Sequence, residues 1–229
     1  MKSMNSNEII IEYQSMHYEK RVNNKMMYYD YVFPIDDIHH YISEINNIDC
    51  AEIMDDILSS QFNEIINSSD VFQFSSFENC TDNLCAVLKR ANNPGVKPLQ
   101  MGKMLLNDGE NRKEGAFTKY GENHLKTALL IGLVWKYYDT YYLTCLGYAL
   151  DTLSKEERNK LITRLLLRNK LIRRVLKVTS KGKLDMRQFC YMLSDSTYIR
   201  RRSNLKRIFK CLEESDEYPF DTITENIIW

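Results

Sequence analysis

The sequence feature that most clearly suggests chemistry is a run of cations at residues 196–210, which we expect to be helical. The apolar residues on the predicted inner stripe are Tyr198, Leu205, Ile208, Phe209 and Leu212. The outer side would carry Arg200, Ser203, Lys206, Arg207 and Lys210, with Arg201 and Arg202 on its flanks. Guanidinium and ammonium groups bind phosphate oxygens, and arginine also pairs with guanine edges. The run therefore indicates a nucleic-acid-binding helix or, alternatively, a solvated basic face.

A second helix with a polar outer side is predicted about 80 residues upstream, from about Lys119 to Gly132. Leu125, Ala128 and Leu129 would be buried. The outer face would carry Lys119, Tyr120, Asn123, Lys126 and Thr127. Asparagine can bind adenine through two hydrogen bonds, so we interpret this face as a second candidate contact with nucleic acid.

Charge is distributed unevenly along the 229 residues, although the formal net charge is zero. Residues 1–90 carry 6 basic and 15 acidic side chains, and residues 91–212 carry 25 and 10. Residues 213–229 carry 6 acidic side chains and no basic one. This asymmetry favours an acidic module joined to a basic one that binds a polyanion.

The elements that would position the upstream helix follow a familiar order. Two shorter helices are expected near Thr81 and Lys97, before the helix at 119–132. A hairpin should follow, with strands near Leu133 and Tyr141. Three helices and a hairpin form the helix-turn-helix plan with a wing.

The same order is expected again after Ser154, which opens a capping box with Glu157. A long helix with a break at Asn169 precedes a short helix capped by Asp185, and then the basic helix. The second wing would be a short hairpin within residues 218–229.

The sequence predicts a mainly α protein with short β-hairpins, in which two tandem winged-helix units follow a small acidic α+β module. We place the module at residues 1–75 and the units at 76–153 and 154–229. In the module we expect strands near residues 9–13 and 27–35, then two amphipathic helices between 36 and 66. Residues 72–77 should be a strand or an extended linker.

Residues 80–212 resemble the tandem winged-helix DNA-recognition modules of type II restriction endonucleases and related phage-defence proteins. The first matching pieces are Tyr120-x-x-Asn123 with Ala128, Gly132-Leu133, and Leu143-Thr144-x-x-Gly147. The later ones are Leu153-Ser154-Lys155-Glu156-Glu157-Arg158 and Ser196-Thr197-x-x-Arg200-Arg201-x-Ser203. The resemblance implies that the two outward-facing helices read DNA. Such enzymes carry a separate nuclease domain, which we do not recognise in this sequence.

Other site types find less support. We predict no metal site, cofactor or catalytic residue, because His39 and His40 are adjacent on a helix and no Asp/Glu-x-Lys triplet lies on a plausible strand. The six cysteines lack C-x-x-C spacing and are expected to be reduced core residues. No apolar run could span a membrane, and we expect a cytoplasmic protein.

We therefore predict sequence-directed binding of double-stranded DNA as the target-recognition component of a restriction or phage-defence system. A nuclease or another defence protein would bind residues 1–75 and supply the chemistry. A stand-alone transcription regulator or plasmid replication initiator, which could act as a homodimer, is the alternative. An endonuclease with an active site in residues 1–75 is a further one, so enzyme activity stays open.

Overall fold

The computed structural model describes residues 20–22, 25–28, 35–91, 95–106 and 112–229, with side chains from residue 38 onward. The strand expected at residues 9–13 lies outside these ranges. The sequence also predicts a turn at residues 92–95 and a helix end at 107–109; most of the first and all of the second lie outside these ranges. The described chain is mainly helical, as the sequence predicts.

The N-terminal part holds two short strands and two helices. They are β1 (Lys20–Val22), β2 (Lys25–Tyr28), α1 (Ile35–Asn46) and α2 (Cys50–Ser59). The strands are antiparallel. The two predicted amphipathic helices are confirmed, and they bury Ile42 and Ile53 among other side chains. The strand predicted at 27–35 is wrong at its end, because Ile35 already belongs to α1.

Residues 60–81 form an extended connection interrupted by two 3-10 turns, Ser68–Asp70 and Glu78–Cys80. Residues 72–77 are the extended linker rather than a strand. Phe72 is fully buried, so the connection is fixed to the core. We call residues 68–79 the bridging segment.

The next unit has the predicted order of three helices and a hairpin. These elements are α3 (Asp82–Arg90), α4 (Pro98–Leu106), α5 (Glu114–Leu130), β3 (Val134–Tyr137) and β4 (Thr140–Leu143). The strands are antiparallel, from Val134 opposite Leu143 to Tyr137 opposite Thr140. Helices α4 and α5 meet backbone to backbone, since a Cβ at Gly121 would lie 1.9 Å from the carbonyl oxygen of Pro98.

The centre of the molecule is a helix pair. It follows α6 (Cys145–Ala149) and consists of α7 (Lys155–Arg168) and α8 (Lys170–Thr179). The predicted capping box at Ser154 and Glu157 is confirmed. Asn169 ends α7 and caps α8, which confirms the predicted break. Residues 161–167 are all buried, so α7 is surrounded by protein over two turns.

The C-terminal part departs from the prediction. It contains β5 (Leu184–Asp185), α9 (Met186–Phe189), α10 (Asp195–Glu213), α11 (Phe220–Thr224) and β6 (Ile227–Ile228). The second hairpin is wrong, because β6 pairs in parallel with β5 and a helix occupies residues 220–224. The fully buried Phe220 anchors this helix, and Thr224 Oγ1 donates a 2.6 Å hydrogen bond to Glu213 of α10.

The hydrophobic core is one cluster that runs from α1 to β6. It continues across residues 75 and 153, where the sequence suggested boundaries. Helix α1 packs against α7, and α2 packs against α8. Five of the six cysteines are buried as free thiols and Cys211 is half-buried, in agreement with the expected reduced core residues.

Candidate nucleic-acid interface

The basic helix α10 begins at a serine cap and presents one cationic side to solvent. Ser194 Oγ accepts from the Thr197 N–H at the cap. The predicted inner residues Tyr198, Leu205, Ile208, Phe209 and Leu212 are all buried, which fixes the helix rotation. The exposed side carries Ile199, Arg200, Arg202, Ser203, Lys206, Arg207 and Lys210.

Three of these cations have no carboxylate partner within the described chain. Arg200 donates to Ser196 O and Thr197 Oγ1, both at 3.2 Å, so its guanidinium lies along the first turn of α10. The Lys206 ammonium lies 5.4 Å from the ring centroid of Trp229. Arg202 is exposed and has no protein partner among the described residues. These three groups are available to a polyanion.

The C-terminal half of the exposed side is partly neutralised. Glu214 accepts a 2.9 Å hydrogen bond from Arg207 and lies 3.8 Å from Lys210. Both pairs are solvent-exposed, so each contributes little to stability. The excess of positive charge is therefore greatest in the N-terminal half of α10.

Arg201 is placed differently from the flanking position that we predicted. It follows Tyr198 by three residues and precedes Leu205 by four, so it lies on the inward stripe. Its Nη1 donates to the carbonyl oxygens of Ser68 and Val71. Arg201 thus holds the bridging segment and is corrected from a DNA contact to an internal one.

The outer side of α5 carries a compact charge group. Glu122 accepts from Lys119 at 3.0 Å and from Lys126 at 2.6 Å, and these bonds lower the pKa of Glu122. Both lysine side chains stay more than half exposed. Asn123 lies between them and is half-buried. This face carries a net charge of about one positive unit, less than its lysines suggest.

Two residues predicted for this outer face are held internally. Thr127 is fully buried and donates to Gln73 O at 3.1 Å, so its assignment as a surface contact is corrected. Tyr120 is half-buried, and its hydroxyl accepts a 2.7 Å bond from Asn79. Leu129, predicted to be buried, is 38% exposed. These differences from the prediction arise because the bridging segment packs on the stripe of α5 that contains residues 120, 124 and 127.

The bridging segment links the two candidate helices. Asn204 of α10 donates to Phe74 O at 2.6 Å, while Ser75 of the same segment contacts His124 Nε2 of α5 at 3.3 Å. A pocket of about 160 Å³ lies where the three pieces meet. Its wall includes Lys119, Asn123, Lys126 and Arg201 together with Ser68 and Ser69. The structure therefore joins the two predicted helices through the bridging segment, with Arg201 as the α10 residue in the pocket wall.

Buried arginines that we did not single out join the basic helices to the acidic segment. Arg164 is 3% exposed, donates to Ile48 O and pairs with Glu217. Arg173 is 5% exposed and pairs with Asp56 at 2.8 Å. The positive charges of Arg164 and Arg173 are consequently neutralised inside the molecule. The sequence signal for Arg164 was its position inside the apolar run 161–167.

The hairpin exposes aromatic side chains at its tip. Tyr141 and Tyr142 are buried, whereas Tyr137 is 41% and Tyr138 is 83% exposed. Tyr138 has a φ of 52°, which is unfavourable for a bulky L-residue. The two-residue turn between β3 and β4 therefore combines an exposed ring with an unfavourable backbone conformation at Tyr138.

Comparison with known proteins assigns this chain to no family. The chain matches no family model, no curated protein and no solved structure. The similarity to restriction-enzyme modules rests on the short sequence motifs.

Every helix among the described residues is too short or too polar to cross a membrane. The described His, Cys, Asp and Glu side chains form no group of three or more that could hold a metal ion.

Proposed function

We propose that this protein binds duplex DNA through the exposed side of α10, with the outer face of α5 at the edge of the contact. The observation that carries the proposal is a set of three cations on the exposed side of one helix, Arg200, Arg202 and Lys206, which have no carboxylate partner among the described residues. Phosphate contacts by such groups release counterions and supply most of the affinity for DNA.

The composition of this side also suits base reading. Arg200 can donate two hydrogen bonds to a guanine, and the exposed Ile199, 65% accessible, can contact a thymine methyl group. Ser203 lies between the cations and is exposed. Helix α5 has a smaller role in this proposal, because the bridging segment covers one of its stripes and would obstruct deep insertion into a groove.

A narrower proposal concerns the biological role. Target recognition in a restriction or phage-defence system, with a nuclease partner, rests on the sequence resemblance given above. It predicts an asymmetric target site and a co-purifying nuclease encoded nearby.

The direct test is selection of bound sequences from a random duplex pool, followed by anisotropy titration of the enriched site. With about three to five phosphate contacts, log K should fall with log salt at a slope near −3 to −4.5. A slope shallower than about −2, or no enrichment of any sequence, would contradict the proposal.

A further inference from the structure

A second pocket, of about 490 Å³, lies where the end of α5 meets the junction of α7 and α8. Residues 60–64 close its remaining side. It shares Leu130 with the smaller pocket but contains none of the exposed cations of α10. A volume of this size is within the range of small-molecule sites, which is roughly 300–1,000 Å³.

Arg173 in the wall of this pocket has an unused donor. Its side chain is 6% exposed, and Nη2 donates to Asp56 at 2.8 Å and to Ser60 Oγ at 3.3 Å. Nη1 is buried and has no acceptor among the described residues. Since a buried donor without an acceptor destabilises the folded chain, the position favours an additional acceptor.

Arg168 provides a second cation in the same wall. It is half-buried, and within the described chain it has neither a carboxylate partner nor a carbonyl acceptor. Burial, and then repulsion by Arg173, lower the pKa of Arg168. Lys170 differs, because Asp70 neutralises it at 2.8 Å. Two arginines thus lie in the wall of one pocket, and of these two only Arg173 has a carboxylate partner among the described residues, Asp56.

The remaining wall is suited to an organic group. Phe62, Leu129 and Leu130 are apolar, and Phe62 lies 5.6 Å from the Arg173 guanidinium. The first turn of α8, a helix of ten residues, also lies at the pocket, and its dipole favours an anion there. Glu64 is the acidic residue of the lining and would oppose an anion.

We infer that this pocket binds a phosphate group on a ligand of about mononucleotide size, with Arg168 as the donor and Arg173 as the neighbouring cation. The apolar wall of Phe62, Leu129 and Leu130 would contact the organic part. A phosphate offers several acceptor oxygens, and arginine binds it through parallel hydrogen bonds. The site is separate from the proposed DNA face and does not depend on it.

The test is calorimetric titration of the full chain with inorganic phosphate and with a nucleoside 5′-monophosphate, at constant ionic strength in chloride. Arg168→Gln should weaken binding of both by about tenfold, because it removes a charge-assisted interaction. The fold of this variant should persist, since the Arg168 side chain makes no hydrogen bond to any other described residue. Glu64→Gln should tighten binding, and Lys181→Gln, which removes an exposed charge elsewhere, should not change it.

Two further arms distinguish the source of the phosphate. Tighter binding of the nucleotide than of inorganic phosphate, with none for the bare nucleoside, indicates a free nucleotide. Preference for a 5′-phosphorylated duplex over a 5′-hydroxyl duplex, lost in Arg168→Gln, indicates a nucleic-acid end. Both results support the inference.

Equal phosphate responses in the wild type, Arg168→Gln and Lys181→Gln would overturn it, as would a response no larger than that to chloride. Arg200→Ala should leave phosphate binding unchanged, so loss of duplex binding alone would bear on the proposed function and not on this pocket.

Discussion

Arg201 Nη2 donates a 2.9 Å hydrogen bond to Oε1 of Gln73, which joins the basic helix α10 to the bridging segment. The same guanidinium also binds two carbonyl oxygens of this segment. A residue from the most basic stretch is therefore committed to holding the chain together. Its neighbours Arg200 and Arg202 remain exposed.

Arg201→Ala should lower the free energy of unfolding by about 2–4 kcal/mol, because it leaves three acceptors of the bridging segment without their donor. Urea denaturation followed by circular dichroism measures this. Arg202→Ala is the matched control and should stay within about 0.5 kcal/mol of the wild type. Equal effects of the two substitutions would show that the internal contacts of Arg201 contribute nothing.

Deleting residues 1–75 should yield a fragment that does not fold cooperatively. The deletion removes Ile42, Ile53 and Phe72 from the core. It also leaves Arg173 without its acceptors and removes the carbonyl oxygen of Ile48 that Arg164 binds. Near-ultraviolet circular dichroism and thermal unfolding of the purified fragment test this expectation. A fragment with a sharp transition would instead support the independent N-terminal module that the sequence suggested.

Arg200→Ala should weaken binding of the selected duplex by about 1–3 kcal/mol and relax one base position, if Arg200 reads a guanine. Lys210→Ala should weaken all sequences by a similar, smaller amount, because Lys210 would contact phosphate. Anisotropy on selected and scrambled duplexes separates the two roles.

The control for the loss of one positive charge is Lys181→Ala, which lies in the turn after α8. Equal losses for Arg200→Ala on both duplexes would make Arg200 a phosphate contact. Equal duplex affinities of Arg200→Ala and Lys181→Ala would favour the alternative that the exposed side of α10 is only a solvated basic face.

Stability should fall as the pH decreases below about 7 because of His124. Burial lowers the pKa of this histidine, and its Nδ1 lies 2.7 Å from Tyr120 O. The unfolded chain therefore takes up the proton more readily near its ordinary pKa of about 6.5, and stability is lost as the pH falls from there towards the lower folded pKa.

Denaturation at several pH values should show a smaller fall for His124→Gln than for the wild type. His40→Gln, at an exposed position beside Glu44, should keep the wild-type slope. The lowered pKa of Glu122 affects stability at more acidic pH, so Glu122 does not contribute to the pH dependence assigned to His124. An unchanged slope in His124→Gln would refute the assignment.

Tyr138→Asn should raise the free energy of unfolding by about 0.5–1 kcal/mol, because asparagine tolerates a positive φ better than tyrosine does. Thermal unfolding measures the gain, with Tyr137→Asn in the adjacent strand as a control that should not be stabilised. A loss of duplex affinity in Tyr138→Asn would give the strained ring a binding role. Destabilisation would show that the exposed ring contributes packing that outweighs its backbone strain.

Local sequence signals predicted most elements of the fold, because they depend on neighbouring residues. The capping box at Ser154 and the cap at Asp185 are satisfied within one turn of helix, so their chemistry is visible in the sequence. The hairpin after α5 follows from strand-forming residues on either side of a short polar turn. Helical periodicity likewise fixed which side of α10 is buried.

The second hairpin failed because its apolar residues could satisfy either of two arrangements. Phe220 and Ile223 are three residues apart, a spacing that suits a helix turn as well as a short strand. Packing of Phe220 in the core favours the helix α11, and β6 pairs with β5, which is distant in sequence. No local signal specifies a parallel pairing across about 40 residues.

The sequence by itself determined the helix order, the rotation of α10 and the uneven charge distribution, since these follow from residue type and spacing. The tertiary structure alone decided which cations remain available. Arg201 looks like its exposed neighbours Arg200 and Arg202 in sequence. Arg164, Arg173 and Arg201 nevertheless each lie where the acidic N-terminal segment contacts a basic helix. Each of these arginines binds an acceptor more than 100 residues away in sequence, and only the folded chain brings these groups together.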